Sequence, residues 1–295
     1  MPDHLQQITH WLCPVCKQTE LSKSLQWQEN VWRCDVGHSF DRAKEAYVNL
    51  LLVQHKNSKD PGDNKDMVLA RREFLAQDHY LPLAQKVASL LQSCFAQHSV
   101  NNPLAIFDAG CGEGYYLAKI KQELALAGLN ITASGSDISK SAIQKAAKKH
   151  PDIHYAVASS YNLPVASESQ DAVIQVFAPS SPAEIQRILK TQGWWIDVNP
   201  AADHLFALKQ QVYDKPEKHT ADASIPAGFA LVSQTRLSFS IELVDQQQRQ
   251  NLLMMTPFYW TISEQKKQLL LENLSSVSTD FDIKLLQKKA DAEVN

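Results

Sequence analysis

Cys13 and Cys16 stand three positions apart in "WLCPVCKQTE", and Cys34 and His38 stand four apart in "WRCDVGHSF". Seventeen residues separate the two pairs. Three thiolates and one imidazole make a complete donor set for a tetrahedral zinc ion. Each pair, on a tight turn at one end of a hairpin, would build one knuckle. A closed Cys3His set leaves no open coordination position, so its role is structural. A redox role for Cys13 and Cys16 needs a helix start in a thioredoxin-like unit, and the flanking sequence has none. The five cysteines are odd in number and clustered, unlike a disulfide framework. They fit a reducing cytoplasm.

A second group lies in "FDAGCGEGYY", residues 107–116, where Gly110, Gly112 and Gly114 follow Asp108. A dinucleotide fingerprint would need its last glycine at position 115, which is Tyr115. A phosphate-binding P-loop would need Gly-Lys-Ser/Thr, which is absent. The G-x-G-x-G pattern resembles the first motif of the S-adenosylmethionine-dependent methyltransferases with a Rossmann-like sheet. That donor has no pyrophosphate, only an amino-acid tail, a ribose and an adenine. Glycines let the backbone lie against tail and sugar. The donor then sits outside the carboxyl ends of the strands. One carboxylate at the end of the second strand can accept from both ribose hydroxyls, and "SGSDIS" supplies Asp137 there, 29 residues after Asp108. "VASSYNLP" offers Ala158 and Ser159, not an acid, where many relatives meet the adenine. "FAPSSP" after strand four is not the Asn/Asp-Pro-Pro-Tyr/Phe box, so an exocyclic adenine amine is not the expected acceptor.

These residues need a scaffold. "LAIFDAG", "ITASGSD", "IHYAVAS", "DAVIQVFA" and "WWIDVNP" read as strands. Between them, helices are expected over 114–128, closed by Gly128, over 139–150, opened by Ser139, and over 183–193. Strict alternation implies a parallel sheet with helices on both faces. The expected fold class is α/β: a Rossmann-like class I methyltransferase domain preceded by a small N-terminal zinc-binding module. Residues 67–77 and the stretch after Pro82 read as helices, the latter with Leu83, Val87, Leu90, Leu91 and Cys94 on one core-facing side. "FALVSQTRLSF" and "FDIKLLQ" are two further strands, with a helix over 263–273 between them. "SLQWQENVWRC" reads as a hairpin, with Trp11, Trp27, Trp32 and Phe40 as the small module's core. A unit that small needs a staple, which zinc provides. The boundaries drawn are 1–45 for the zinc module, 46–100 for a linker loop and helices, and 101–295 for the methyltransferase domain.

The bulk numbers permit this and little else. Hydrophobic residues are 44% and charged residues 21% of 295, ordinary for a soluble globular chain, and the net charge of −3 shows no overall pull toward polyanions. From Arg42 to Arg72, seven basic residues face four acids, a weak local bias toward a polyanion. The start, "MPDHLQQITH", has neither a basic nor an apolar leader region, and no stretch has the length of a membrane span.

The segments "FDRAKEAYVNLL", "VQHKNSKDPGDNKDM", "ARREFL", "HYLPL", "GCGEGYY", "KSAIQKAAKKHP", "VASSYNLP", "PAADHL" and "MTPFYW" together resemble the bacterial 23S ribosomal RNA (guanine-N1)-methyltransferases, close to the Gram-negative branch. The resemblance runs over nearly the whole chain. It implies donor contacts by Tyr80, Gly112, Glu113, Ser136, Asp137 and His204. It also implies a zinc module that helps to hold RNA, and a homodimer. Two features depart from the pattern: a long gap between Cys16 and Cys34, and "KTQGWW" in place of a Lys-Pro-Gly-Gly-Trp turn. Read without the resemblance, Tyr80 is a helix-start core residue and His204 a surface or capping histidine. On the same reading Met255, Phe258 and Trp260 are core; with the resemblance, they are an aromatic wall for a flipped guanine.

The expected chemistry is in-line methyl transfer, in which alignment supplies most of the acceleration. Guanine N1 carries a proton at neutral pH, so a base or a bound water must take it, and no residue has a diagnostic spacing for that role. The polar loop 55–66 is expected to close over donor or RNA. Two rival classes are a methyltransferase with a small-molecule acceptor and a non-catalytic RNA- or ribosome-binding protein that kept the fold.

Overall fold

The computed structural model describes residues 11–19, 21–29, 31–55, 62, 64–97, 103–220 and 223–290. Most of the 55–66 loop, and with it the expected closure, lies outside these residues.

The amino-terminal module opens with one helical turn, α1 (Pro14–Lys17), and continues as a three-stranded antiparallel sheet of β1 (Gln26–Gln28), β2 (Val31–Arg33) and β3 (Ser39–Asp41). Trp27 stands opposite Trp32, which in turn stands opposite Phe40. The two indoles lie 5.3 Å apart, an aromatic pair of the kind that pins a short hairpin. Trp11 does something else. It is buried with its ring edge-on to Phe107 at 6.3 Å, and its backbone bridges to Val165. It therefore packs on the large sheet and not only within the module.

Among the described residues, that sheet has eight strands in the order β10-β11-β9-β8-β5-β6-β7-β4. The ranges are β4 (Val48–Asn49), β5 (Leu104–Ala109), β6 (Ile131–Asp137), β7 (His154–Val157), β8 (Gln170–Val176), β9 (Leu189–Pro200), β10 (Phe229–Glu242) and β11 (Ser276–Lys288). From β4 to β9 all neighbours are parallel. The five strands expected to be parallel are so, and the two further strands add an antiparallel side, where β11 runs antiparallel to both β9 and β10. The burial pattern explains the arrangement. Most of β11 is buried and takes an interior place, whereas β10 alternates exposed and half-buried residues and can sit at the wet edge.

Along β5, Leu104 and Ile106 join one apolar cluster while Phe107 and Ala109 join another, so the sheet has a core on each face. Helices α2 (Lys65–Leu75), α3 (Leu81–Cys94), α4 (Tyr115–Leu126), α5 (Lys140–Lys149), α6 (Pro182–Ile188), α7 (Phe206–Val212), α8 (Gln246–Met254) and α9 (Glu264–Asn273) complete the domain. Asn64 and Ser139 cap α2 and α5 by accepting from backbone N–H groups of their first turns. Helix α6 stops five residues short of the expected end. Gln192 takes a left-handed φ of 61°, and a Cβ on Gly193 would lie 2.8 Å from the Lys190 carbonyl. Residues 190–193 are instead a strand irregularity, across which the pairing jumps from Gln170–Leu189 to Ala172–Trp194. Among the described residues, no helix is long and apolar enough to cross a membrane.

Candidate functional site

Four ligand atoms of Cys13, Cys16, Cys34 and His38 lie within 4.8 Å of one another. His38 Nδ1 is 3.6, 3.4 and 3.5 Å from the sulfurs of Cys13, Cys16 and Cys34, and the Cys16 and Cys34 sulfurs are 3.8 Å apart. A tetrahedron with metal–sulfur bonds of about 2.3 Å has sulfur–sulfur edges of about 3.8 Å. The residues present therefore fit a zinc ion. Local turns build the set. Cys34 N–H donates to the His38 carbonyl, and Gly37, at φ 101°, closes the turn by donating to the Cys34 carbonyl. Burial and the neighbouring Cys13 and Cys34 push the Cys16 thiol up to about 12. A dication at the centre is what would make such a set thiolate.

The module is clasped to the domain behind it. One residue after Cys16, Lys17 Nζ donates to Glu184 Oε2 at 2.6 Å, Asn162 Oδ1 at 2.6 Å and the Leu163 carbonyl at 3.0 Å. Glu184 also accepts from Arg187 and from Leu163 N–H. Spacing gave no signal of this clasp, because its partners lie 145 or more positions apart.

At the carboxyl ends of β5 and β6, the glycine loop folds back on the second strand. Gly110 and Cys111 N–H both donate to the Ser136 carbonyl, at 2.8 and 3.0 Å. Asp137 accepts from Gly112 N–H at 2.9 Å through Oδ2 and from Ser139 N–H at 2.7 Å through Oδ1. Gly110, Gly112 and Gly114 all have positive φ (86°, 55° and 83°). A Cβ on Gly110 would lie 2.3 Å from the Ala178 Cβ, and one on Gly114 would lie 2.5 Å from Tyr155 Oη. A Cβ on Gly112 would meet nothing within 4 Å, so this glycine faces open space.

Beside the loop are buried oxygens with no hydrogen-bonding partner in the protein: both of Glu113, Ser136 Oγ and Tyr155 Oη; Tyr80 Oη, at the start of α3, is a further orphan. Buried polar groups are normally satisfied, so a cluster of orphans marks where a polar ligand belongs. The open glycine and the orphaned oxygens together fit the polar groups of an S-adenosylmethionine donor. Burial, offset by Lys149, Arg72 and Arg71, raises the Glu113 carboxyl to about 7. Burial and the charge of Asp137 raise Asp108 to about 8. Glu113 combines near-complete burial with a lack of partners, which its sequence neighbourhood does not foretell. At the end of β7, Ala158 N–H donates to the Asp137 carbonyl, and Ser159 Oγ accepts from Tyr161 N–H.

Tyr80 is buried and is the residue that leads into α3. His204 is buried too, not a surface residue. Its ring packs among Phe281 at 4.9 Å, Phe177 at 5.3 Å and Tyr80 at 6.4 Å. His204 Nδ1 accepts from Asp280 N–H at 3.2 Å, so the proton of the neutral ring sits on Nε2. Burial and then the charge of His219 push His204 down to about 4, so the ring is neutral at physiological pH. The loop is locked by Asp280, whose carboxylate accepts from Arg236, Ser238 and Asp203 N–H. Burial works against ionisation of Asp280, but these donors hold it at about 2. Of the three residues expected as core or aromatic wall, Phe258 is buried, Met255 is half-buried and Trp260 is 60% exposed. Phe177, which sequence reasoning passed over, stands beside His204 at the end of β8.

Comparisons with known proteins agree with the two-part architecture. Residues 11–59 match a zinc-ribbon family model described as "RlmA, N-terminal", and residues 106–193 match one described as "Methyltransferase domain". The chain is 33% identical over 260 residues to a Streptomyces fradiae protein named 23S rRNA (guanine(748)-N(1))-methyltransferase, a match that covers 86% of each chain. It is 31% identical over 281 residues to the Bacillus subtilis protein YxjB, which carries a provisional 23S rRNA (guanine-N1)-methyltransferase name. That match covers 92% of this chain and 94% of the relative.

Proposed function

The chain belongs to the 23S rRNA (guanine-N1)-methyltransferase family, and from that premise we propose that it methylates N1 of one guanine in 23S ribosomal RNA, with S-adenosylmethionine as donor. The observation that carries the reading is the set of orphaned buried oxygens beside a glycine loop that Asp137 pins in place. A fold kept only for binding RNA has no use for them, and a methyl donor does.

When bound, the donor supplies an electrophilic methyl on a sulfonium. The chain's own residues do the positioning. The open face of Gly112, on a turn that Gly110 and Gly114 hold in shape, gives the tail and ribose a surface without side chains. Asp137, held at the end of β6 beside the glycine loop, presents its carboxylate to the ribose hydroxyls. Glu113 sits near its titration midpoint at neutral pH, and a cationic ammonium beside it would draw it to the ionised form. Ser136 and Tyr80 offer their free hydroxyls to the same bed.

Methylation requires the guanine to give up its N1 proton. His204 does not take it, because its Nδ1 is occupied and its Nε2 already carries hydrogen. Asp280 does not take it either, since its carboxylate is committed to Arg236, Ser238 and Asp203 N–H. That leaves His204 Nε2–H a hydrogen-bond donor, on a ring whose orientation the Asp280 N–H fixes.

The same reading includes RNA contact by the zinc module and by the basic face of α2 and α5. There Lys65 and Arg72 approach Lys145 closely enough to add to the effect of its burial in lowering its pKa. It also includes a homodimer and a cytoplasmic location. The test supplies labelled donor together with 23S rRNA and a small-molecule extract. Label in the RNA supports the reading, and label in small molecules alone favours the rival acceptor class.

A further inference from the structure

Phe177 follows β8 directly and takes a left-handed φ of 55°. For an aromatic residue that conformation is an outlier, and such strain persists only where surrounding structure imposes it. The surroundings do so here. Phe177 N–H donates to the Val198 carbonyl at 3.0 Å, which ties it to β9. The Gln175 amide donates to the Ala178 carbonyl and accepts from Ser180, bracing the turn from below. Ala178 in turn sits so close to Gly110 that only glycine fits there. The turn that carries Phe177 is therefore seated on the loop that beds the donor.

The strain does not bury the ring. Phe177 is 39% exposed, with its packing against Phe281 (centroids 5.7 Å apart, planes 30° apart) and His204 leaving the rest open. Any residue content with a left-handed backbone, such as glycine or asparagine, would relieve the strain and keep an apolar ring out of water. What the arrangement provides is a flat aromatic surface one residue away from the donor loop, on a braced backbone. We infer that Phe177 is the platform on which the acceptor guanine stacks, which places its N1 in line with the donor methyl. The inference rests on the proposed RNA methylation and adds the residue that positions the base. Stacking on an aromatic side chain suits a base extruded from its helix.

Three variants test it: Phe177→Ala, Phe177→Gly and Phe177→Tyr, each assayed for methylation of 23S rRNA, calorimetric donor affinity and thermal unfolding. Alanine and glycine should each lower kcat/KM for RNA roughly 5- to 150-fold, the range of single base–aromatic stacks. Donor affinity should stay at the wild-type value. Tyrosine should restore turnover. Glycine should melt at or above the alanine variant, because its backbone suits φ 55°, which separates loss of stacking from loss of fold. Wild-type turnover in the alanine or glycine variant overturns the inference, as does a matching fall in donor affinity or a tyrosine variant as impaired as alanine. A wild-type chain that methylates no RNA overturns the functional reading first, and this inference with it.

Discussion

Gly110→Ala is the substitution whose cost can be worked most directly from this structure. Its φ of 86° lies where L-residues lose about 1–2 kcal/mol. The new Cβ would lie 2.3 Å from the Ala178 Cβ, a separation that forces one backbone to move. Overpacking of that kind adds roughly 1–3 kcal/mol. The single variant should thus lose about 2–5 kcal/mol, or on the order of 2 °C of melting temperature for each kcal/mol in a chain of this size. Ala178→Gly removes the obstructing methyl but not the φ penalty, and by itself costs up to about 1 kcal/mol. The double variant should therefore be about 1–3 kcal/mol more stable than the sum of the singles predicts, a coupling readable in a double-mutant cycle of urea melts. Additive singles would refute the claim that the turn after β8 rests on the donor loop, and would remove the geometric basis for placing Phe177 beside the methyl.

Asp137→Asn replaces one acceptor oxygen with an NH2 group that must face the N–H of Gly112 or Ser139. Donor affinity measured by calorimetry should fall roughly 10- to 150-fold, as expected for losing a charged hydrogen-bond acceptor; unchanged affinity would contradict the ribose assignment. Asp108 has a folded-state pKa raised from 3.8 to about 8, so its contribution to stability is greatest below 3.8 and is lost as pH rises toward 8. Without donor, melting temperature across that window should therefore fall less steeply in Asp108→Asn than in wild type, and parallel profiles would show that Asp108 does not titrate there. Chelation of zinc should lower the melting temperature and expose the thiols of Cys13, Cys16 and Cys34 to titration together. Thiols that stay protected would mean that the module holds itself together by packing alone.

Which features the sequence carried follows from the range of the forces involved. Ligand spacing is local, so Cys13, Cys16, Cys34 and His38 could be read as one set, and the structure brings all four together. The βα alternation and the glycine loop are also local, and β6 and α5 fall where periodicity and the Ser139 cap put them. Two segments carry weaker signals. α8 buries Gln248 and Asn251 alongside Leu252 and Leu253, so its inner face has no apolar period to read. The residues 190–193 looked helical because no local cue reports a strand irregularity imposed by β8. At the site, the strain at Phe177, the burial of His204 and the Lys17–Glu184 clasp all depend on segments far apart in the chain. Local pattern contains no record of them.

The most direct test of the central claim uses 23S rRNA from cells that lack this protein, incubated with the purified chain and S-adenosylmethionine and then read by reverse transcription. A methyl on N1 blocks Watson–Crick pairing and halts the polymerase. The account predicts a new stop beside a single guanine that appears only when chain and donor are both present. No new stop, or a stop beside a different kind of base, would contradict it.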